Sequence, residues 1–282
     1  MSKHFVQNAV LRAILLRGYR LYAQSHLWRS GHRIFLNSIP KAGTHLLISE
    51  LEKTPELMNS RLHIQLKSVG NYDENNSFSA DTKAFNDALY KVKNGQFFSA
   101  HMFWEKEVED LLRQNNIKMI FLIRDPRDIL VSKYHYIMAL KRHDLHKFLS
   151  SDVSQDAERW RLLVEGNMKN PFIRPMSETL KNFLPWKSVN ETLTVQFEKL
   201  IGEQGGGSYI EKQETLIKVY QHCGLPTEQA KANTNVKTWS GINPTFRKGK
   251  AFAWRESLPP SVIDLVHRNC ENEILQLGYL DF

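Results

Sequence analysis

Arg33-Ile34-Phe35-Leu36-Asn37-Ser38-Ile39-Pro40-Lys41-Ala42-Gly43-Thr44-His45-Leu46 carries both the fold and the site. Its β-branched and aromatic start predicts a strand over Arg33 to Ile39. A tight turn with Lys41, Gly43 and Thr44 follows, and the apolar spacing beyond it predicts a helix over Thr44 to Lys53. Strand, turn and helix in that order aim the unpaired N–H groups of a helix start at one point, which suits a phosphate. Further on, Arg124-Asp125-Pro126-Arg127-Asp128-Ile129-Leu130-Val131-Ser132-Lys133-Tyr134-His135-Tyr136 repeats the logic. A buried strand over Lys118 to Ile123 delivers Arg124 at its carboxyl end, and Ser132 lies about two turns into the next helix. Open α/β sheets bind ligands outside the carboxyl ends of their strands, so the two stretches read as two anion clamps of one nucleotide site.

Working outward, Gln96 to Ala100 and Thr192 to Phe197 predict two more short strands. Helical spacing covers Thr82 to Lys93, Glu105 to Asn115, Pro126 to Lys141, Tyr209 to His222 and Pro260 to Leu277. Strands separated by helices imply a parallel sheet, so the expected class is α/β, a P-loop-like sheet flanked by helices on both faces. Residues 60–80 lack periodicity and are expected to form a surface loop. Residues 142–190 hold helical fragments broken at Pro171, Pro175 and Pro185, and are expected to form an insertion or lid.

The 282 residues, 41% hydrophobic and 24% charged, fit one domain over 33–282, with 1–32 a helical segment packing on it. A formal charge of +8 favours an anionic partner: nucleic acid, a membrane surface or a charged nucleotide. Cys223 and Cys270 stand far apart and outside any ligand cluster, which excludes a disulfide framework or zinc site and favours a reducing, cytoplasmic setting. Arg12, Arg17 and Arg20 interrupt the apolar positions of 5–28, so no bilayer span or signal peptide is expected there.

In a common phosphate-loop NTPase the lysine follows the last glycine and precedes a magnesium-holding hydroxyl. Here Lys41 precedes Gly43. Pro40-Lys41-Ala42-Gly43-Thr44-His45 resembles the phosphosulfate-binding loop of the sulfotransferases, and Arg124 to Ser132 resembles their 3′-phosphate motif. Phe246-Arg247-Lys248-Gly249 resembles the Arg-Lys-Gly loop of the same family. The resemblance implies a donor, 3′-phosphoadenosine 5′-phosphosulfate, with adenosine 3′,5′-bisphosphate as product, and a hydroxyl or amine acceptor. It implies Lys41 on the leaving group, where charge grows as the bond breaks, and His101, at the end of the Gln96 to Ala100 strand, as general base. Gly43 with Ala42, Thr44 and His45 would hold the 5′-phosphate, and Arg124, Ser132, Arg247, Lys248 and Gly249 the 3′-phosphate. No metal is expected, since a sulfuryl group carries less charge than a phosphoryl group.

Departures from the family pattern bear on adenine and on the assistant to the base. Leu46 replaces a frequent tryptophan and Phe197 a frequent tyrosine, leaving Phe197 or Trp239 to stack on the base. Ser99 replaces a frequent lysine, and Phe252-Ala253 a frequent Gly-Asp. The basic run Lys141-Arg142-His143 with His146-Lys147 reads as a solvated helix end. The overall pattern is similar to bacterial enzymes that tailor small natural products, so a small-molecule acceptor and no nucleic-acid partner are expected. Two other classes compete: a phosphate-loop kinase or NTPase, and a non-catalytic basic protein that binds nucleic acid or membrane.

Overall fold

The computed structural model describes residues 31–74, 77–167, 173–235 and 249–279, with Leu15 and Gly18. Most of the expected 1–32 helical segment lies outside the described residues. The elements in chain order are β1 (Arg33–Ser38), α1 (Thr44–Leu51), β2 (Met58–Gln65), β3 (Gly70–Tyr72), β4 (Phe78–Ala80), α2 (Thr82–Leu89), β5 (Gln96–His101), α3 (Lys106–Gln114), β6 (Ile117–Ile123) and α4 (Pro126–Ala139). There follow α5 (Asp156–Glu165), α6 (Met176–Phe183), β7 (Thr192–Gln196), α7 (Phe197–Ile201), α8 (Tyr209–Cys223), α9 (Thr227–Thr234), α10 (Trp254–Ser257) and α11 (Pro260–Leu277).

Five strands form one parallel sheet in the order β2-β5-β1-β6-β7. β6, Ile-Lys-Met-Ile-Phe-Leu-Ile, is buried on both faces apart from Lys118, as a parallel strand covered by helices on each side must be. The chain first builds toward β2 from β1 and then returns to the other flank through β6, so the switch in strand order falls between β1 and β6. There the turns that follow two neighbouring strands diverge and open a crevice at their carboxyl ends. Ser38 pairs in register with Leu122, which sets the Lys41 turn beside Arg124.

The loop expected over residues 60–80 is instead the edge strand β2, a short 3₁₀ turn and the antiparallel hairpin β3–β4. Its periodicity is hidden because β2 has a partner on one side only and its polar side chains find local acceptors. The Ser60 hydroxyl donates to the Phe97 carbonyl (2.9 Å) and the Asn59 amide to Glu52 (2.8 Å). A bulge between Asn59 and His63, with Arg61 at φ 60°, breaks the alternation.

The 142–190 segment contributes core rather than cover. Its Leu149, Leu163, Phe183 and Trp186 are buried. Trp186 packs 5.6 Å from the Phe35 ring and donates its Nε1–H to the Met102 carbonyl (2.9 Å); Phe183 meets Phe103 edge-on at 5.1 Å. Cys223 and Cys270 are buried free thiols, pushed up to about 12 by burial, and are therefore unreactive. Among the described residues no helix is long and apolar enough to cross a membrane. Trp186→Ala is expected to cost about 3 to 5 kcal/mol in urea unfolding, because it leaves both a cavity and one fewer donor on Met102; a loss under about 1 kcal/mol would contradict this packing.

Candidate active site

β1 leaves the sheet at Ser38, and the chain must reverse within a few residues to begin α1. Lys41 takes a φ of 72° and Gly43 one of 101°, the latter as the left-handed N-cap of α1. A lysine in that region costs about 1 kcal/mol or more. At Gly43 no side chain fits, since a Cβ would stand 2.8 Å from Cε2 of Phe197. Ala42 donates its N–H to Ile39 (3.0 Å) and Leu46 donates to Gly43 (2.9 Å). The amides of Gly43, Thr44 and His45 between them have no acceptor among the described residues, which leaves a cradle of N–H groups. Lys41 Nζ lies 3.8 Å above the ring of Tyr136 on α4. Burial, and then the charge of Arg124, lower its pKa to about 8.

Arg124 stands at the end of β6, 8% exposed. Its Nη2 donates to the Lys250 carbonyl (2.8 Å) and lies 3.4 Å from Asp128 Oδ2; its Nη1 donates to the Lys41 carbonyl (3.4 Å). The guanidinium covers the Phe197 ring at 4.2 Å, and its buried Nε has no hydrogen-bond partner among the described residues. Asp128, one turn further on, accepts from the Trp254 N–H (2.8 Å) and so ties α4 to the segment after Gly249. Gly249, at φ 51°, backs onto the 202–207 turn, where Ala251 donates to the Gly205 carbonyl (2.8 Å). A Cβ on Gly205 would collide with the Gly249 carbonyl. Ser132 is half-buried on α4. Arg247, Lys248 and Trp239 lie outside the described residues. Phe197 is 2% exposed, clasped between Gly43 and Arg124.

His101 ends β5, half-buried. Its Nδ1 is 2.9 Å from the Ser38 carbonyl and 3.2 Å from the Ser38 hydroxyl, which in turn lies 2.6 Å from the Thr44 hydroxyl. A carbonyl only accepts, so this geometry assigns the proton to Nδ1 and leaves Nε2 with its lone pair. Burial, then the positive fields of His63, His45 and Lys41, push the His101 pKa down to about 4 against the opposing Ser38 carbonyl. The imidazole is neutral at pH 7. Asn37 clamps the next residue from both sides, donating Nδ2–H to the Met102 carbonyl (2.8 Å) and accepting the Met102 N–H (2.9 Å). Ser99 holds His63 Nδ1 at 2.9 Å, and the His63 ring meets that of His101 at 4.9 Å, nearly perpendicular.

The turn after β6 is anchored from below by Glu198, whose Oε1 accepts the Asp125 N–H (2.9 Å) and whose Oε2 accepts from the Tyr279 hydroxyl (2.7 Å). Burial raises this carboxyl to about 7. No carboxylate figures among the charges acting on Lys41 or His101. Three free amides and a lysine at one end, and at the other a guanidinium whose Nε is still unsatisfied beside Asp128, fit a ligand with anionic groups at two ends. Among the described residues no group of three or more His, Cys, Asp or Glu side chains converges as metal ligands.

Residues 32–278 match the family model of the sulfotransferase domain. The chain belongs to the sulfotransferase family. Its fold is similar to that of mouse sulfotransferase SULT7A1 complexed with PAP, the adenosine bisphosphate, at a TM-score of 0.55 and 18% identity over 92% of this chain and 93% of that one. It is also similar to retinol dehydratase in a complex with retinol and PAP, at a TM-score of 0.54 and 16% identity over 94% of this chain and 88% of that one. No curated protein sequence matches the chain.

In this sulfotransferase Lys41, Gly43, Arg124, Phe197 and the Lys250 end of the third loop meet at the carboxyl ends of β1 and β6, and Ser38 joins His101 to Thr44. Sequence reading missed Asn37 and Ser38, although two polar residues closing an apolar strand were a signal. It also missed Asp128, whose four-residue spacing from Arg124 on a helix start was another. His63 and Tyr279 arrive from afar and left none. A Glu whose pKa is raised on folding adds stability that is complete below its ordinary value near 4.5 and is lost as pH rises through about 7. Denaturant unfolding at pH 5 and pH 8 is therefore expected to show a loss in the native protein that Glu198→Gln lacks, up to about 3 kcal/mol; equal losses in both would contradict a buried, protonated Glu198.

Proposed function

We propose that the protein transfers a sulfuryl group from 3′-phosphoadenosine 5′-phosphosulfate to a hydroxyl or amine of a small-molecule acceptor. One observation carries the reading: the Lys41 turn, with three free N–H groups and no carboxylate acting on its lysine, meets Arg124, whose buried Nε has no partner among the described residues. When bound, the donor supplies the activated sulfuryl group; everything else falls to the chain. The amides of Gly43 to His45 hold its 5′-phosphate, and Lys41, still protonated at neutral pH, neutralises charge that grows on the leaving oxygen. Arg124, Ser132, Arg247, Lys248 and Gly249 hold the 3′-phosphate, Arg124 through the nitrogen it leaves unpaired.

His101 takes the acceptor's proton at Nε2. Its Nδ1–H is spent on the Ser38 carbonyl, which fixes the tautomer and aims the ring. An imidazole with a pKa near 4 is a weak base. One of the charges that depress it, on Lys41, belongs to the donor loop, so an anion neutralising it strengthens the base. Proton transfer is thereby favoured only once the loop is filled.

Domain limits of 1–32 and 33–282 and a cytoplasmic location belong to the same reading, the second supported by two buried free thiols. Natural products are the acceptors proposed. With labelled donor and an acceptor panel, turnover is expected without added metal. Lys41→Ala and His101→Ala should each lower kcat by about 10² to 10⁴; turnover kept in both variants would overturn the mechanism, and transfer from ATP with magnesium instead would favour a kinase.

A further inference from the structure

Beside the donor turn lies a second set of positive groups. Lys133 precedes Tyr136 by three residues on α4, so the two are neighbours on the helix surface. After α4 the chain doubles back: His143 donates its N–H to the Leu140 carbonyl (2.8 Å), His146 donates to the His143 carbonyl (2.8 Å), and His146 Nδ1 lies 2.9 Å from the Ile137 carbonyl. Lys141, Arg142 and Lys147 of the basic run are exposed, as a solvated helix end should be, while His143 and His146 are half-buried against the end of α4. This return places the His143 ring 5.5 Å from that of Tyr136, at 90°. Lys41 Nζ covers the face of the same ring at 3.8 Å. Tyr136 is a shared wall, with the reacting lysine on its face and His143 at its edge.

Of these groups it is Lys133 that has no counterion among the described residues. Lys133 is half-buried and pairs with no carboxylate among the described residues; burial alone acts on it and brings its pKa to about 8. Burial lowers the His143 pKa; Asp144 opposes the shift, and the fields of Lys133 and Lys41 add to it. Of the nearby acids, Asp156 accepts from the Tyr134 hydroxyl (2.6 Å) and pairs with Arg159 (2.7 Å), while the exposed Asp144 acts on His143 and not on Lys133. A desolvated cation is costly until a partner anion arrives. The donor's own anions have the amide cradle, Lys41 and Arg124.

We infer that the acceptor carries a carboxylate beside the group it offers for sulfation, and that Lys133 and His143 hold that carboxylate against Tyr136. The inference rests on the donor reading above, because only a filled cradle leaves Lys133 to the acceptor. Calorimetry on the protein saturated with adenosine 3′,5′-bisphosphate tests it, using 4-hydroxybenzoate and its neutral methyl ester as probes. The acid is expected to bind about tenfold or more tightly than the ester, as a charge-assisted bond to a desolvated lysine requires. That ratio should fall to near one in Lys133→Met and largely return in Lys133→Arg. The His143 C2 proton should titrate at higher pH with the acid bound than with the ester.

An acid that binds no tighter than its ester overturns the inference, as does a preference that survives Lys133→Met. So does a Lys133→Met protein whose chief defect is weaker binding of the bisphosphate, which would assign Lys133 to the donor. Failure of the bisphosphate to bind the native protein appears before any acceptor is added, and would remove the donor reading itself.

Discussion

The site depends on one buried guanidinium. Arg124 donates to the carbonyl of Lys41 in the first turn and to the carbonyl of Lys250 in the third loop, pairs with the carboxylate of Asp128 in the helix that follows it, and lies on Phe197 after β7. Four segments remote in sequence are thus referred to one cation. Its remaining donor, Nε, is buried and unsatisfied, a state that costs about 1 to 3 kcal/mol. In the proposed function a 3′-phosphate would relieve that cost, so that the contacts that assemble the site would also bind the nucleotide.

The sign of the local field follows. No carboxylate acts on Lys41 or His101, and burial leaves His101 and the lysines easier to deprotonate than in water. Such a centre is held together by backbone: Ser38 and Met102 carbonyls, the Asn37 clamp and the Trp186 indole fix His101 without spending a counter-charge. Under the proposed function the charge balance around Lys41 is completed by the bound donor, which would strengthen His101 as a base.

Local rules reached much of this. The runs at Arg33 to Ile39 and Lys118 to Ile123 are strands because apolar residues crowd both faces, and the Lys41 turn was visible because only Gly43 can close it. What escaped was set by distant partners. β2 looked like loop because Asn59, Ser60 and His63 are satisfied by Glu52, Phe97 and Ser99, contacts that no window of sequence contains. The 142–190 segment looked like cover because its prolines break each helix, yet Phe183 and Trp186 lie beneath the sheet's own aromatic residues. Phe197, considered as a stacking partner for adenine, is enclosed by Gly43 and Arg124, and that burial could not be read from its place at a strand end.

The most direct measurement is calorimetric titration of adenosine 3′,5′-bisphosphate and of adenosine 5′-monophosphate into the native protein and Arg124→Met, without magnesium. The bisphosphate should bind the native protein at least about 100-fold more tightly, the worth of a desolvated charge-assisted phosphate contact, and Arg124→Met should erase most of that preference. Equal affinities in the native protein, or a preference untouched by Arg124→Met, would contradict a site organised around Arg124 and the 3′-phosphate.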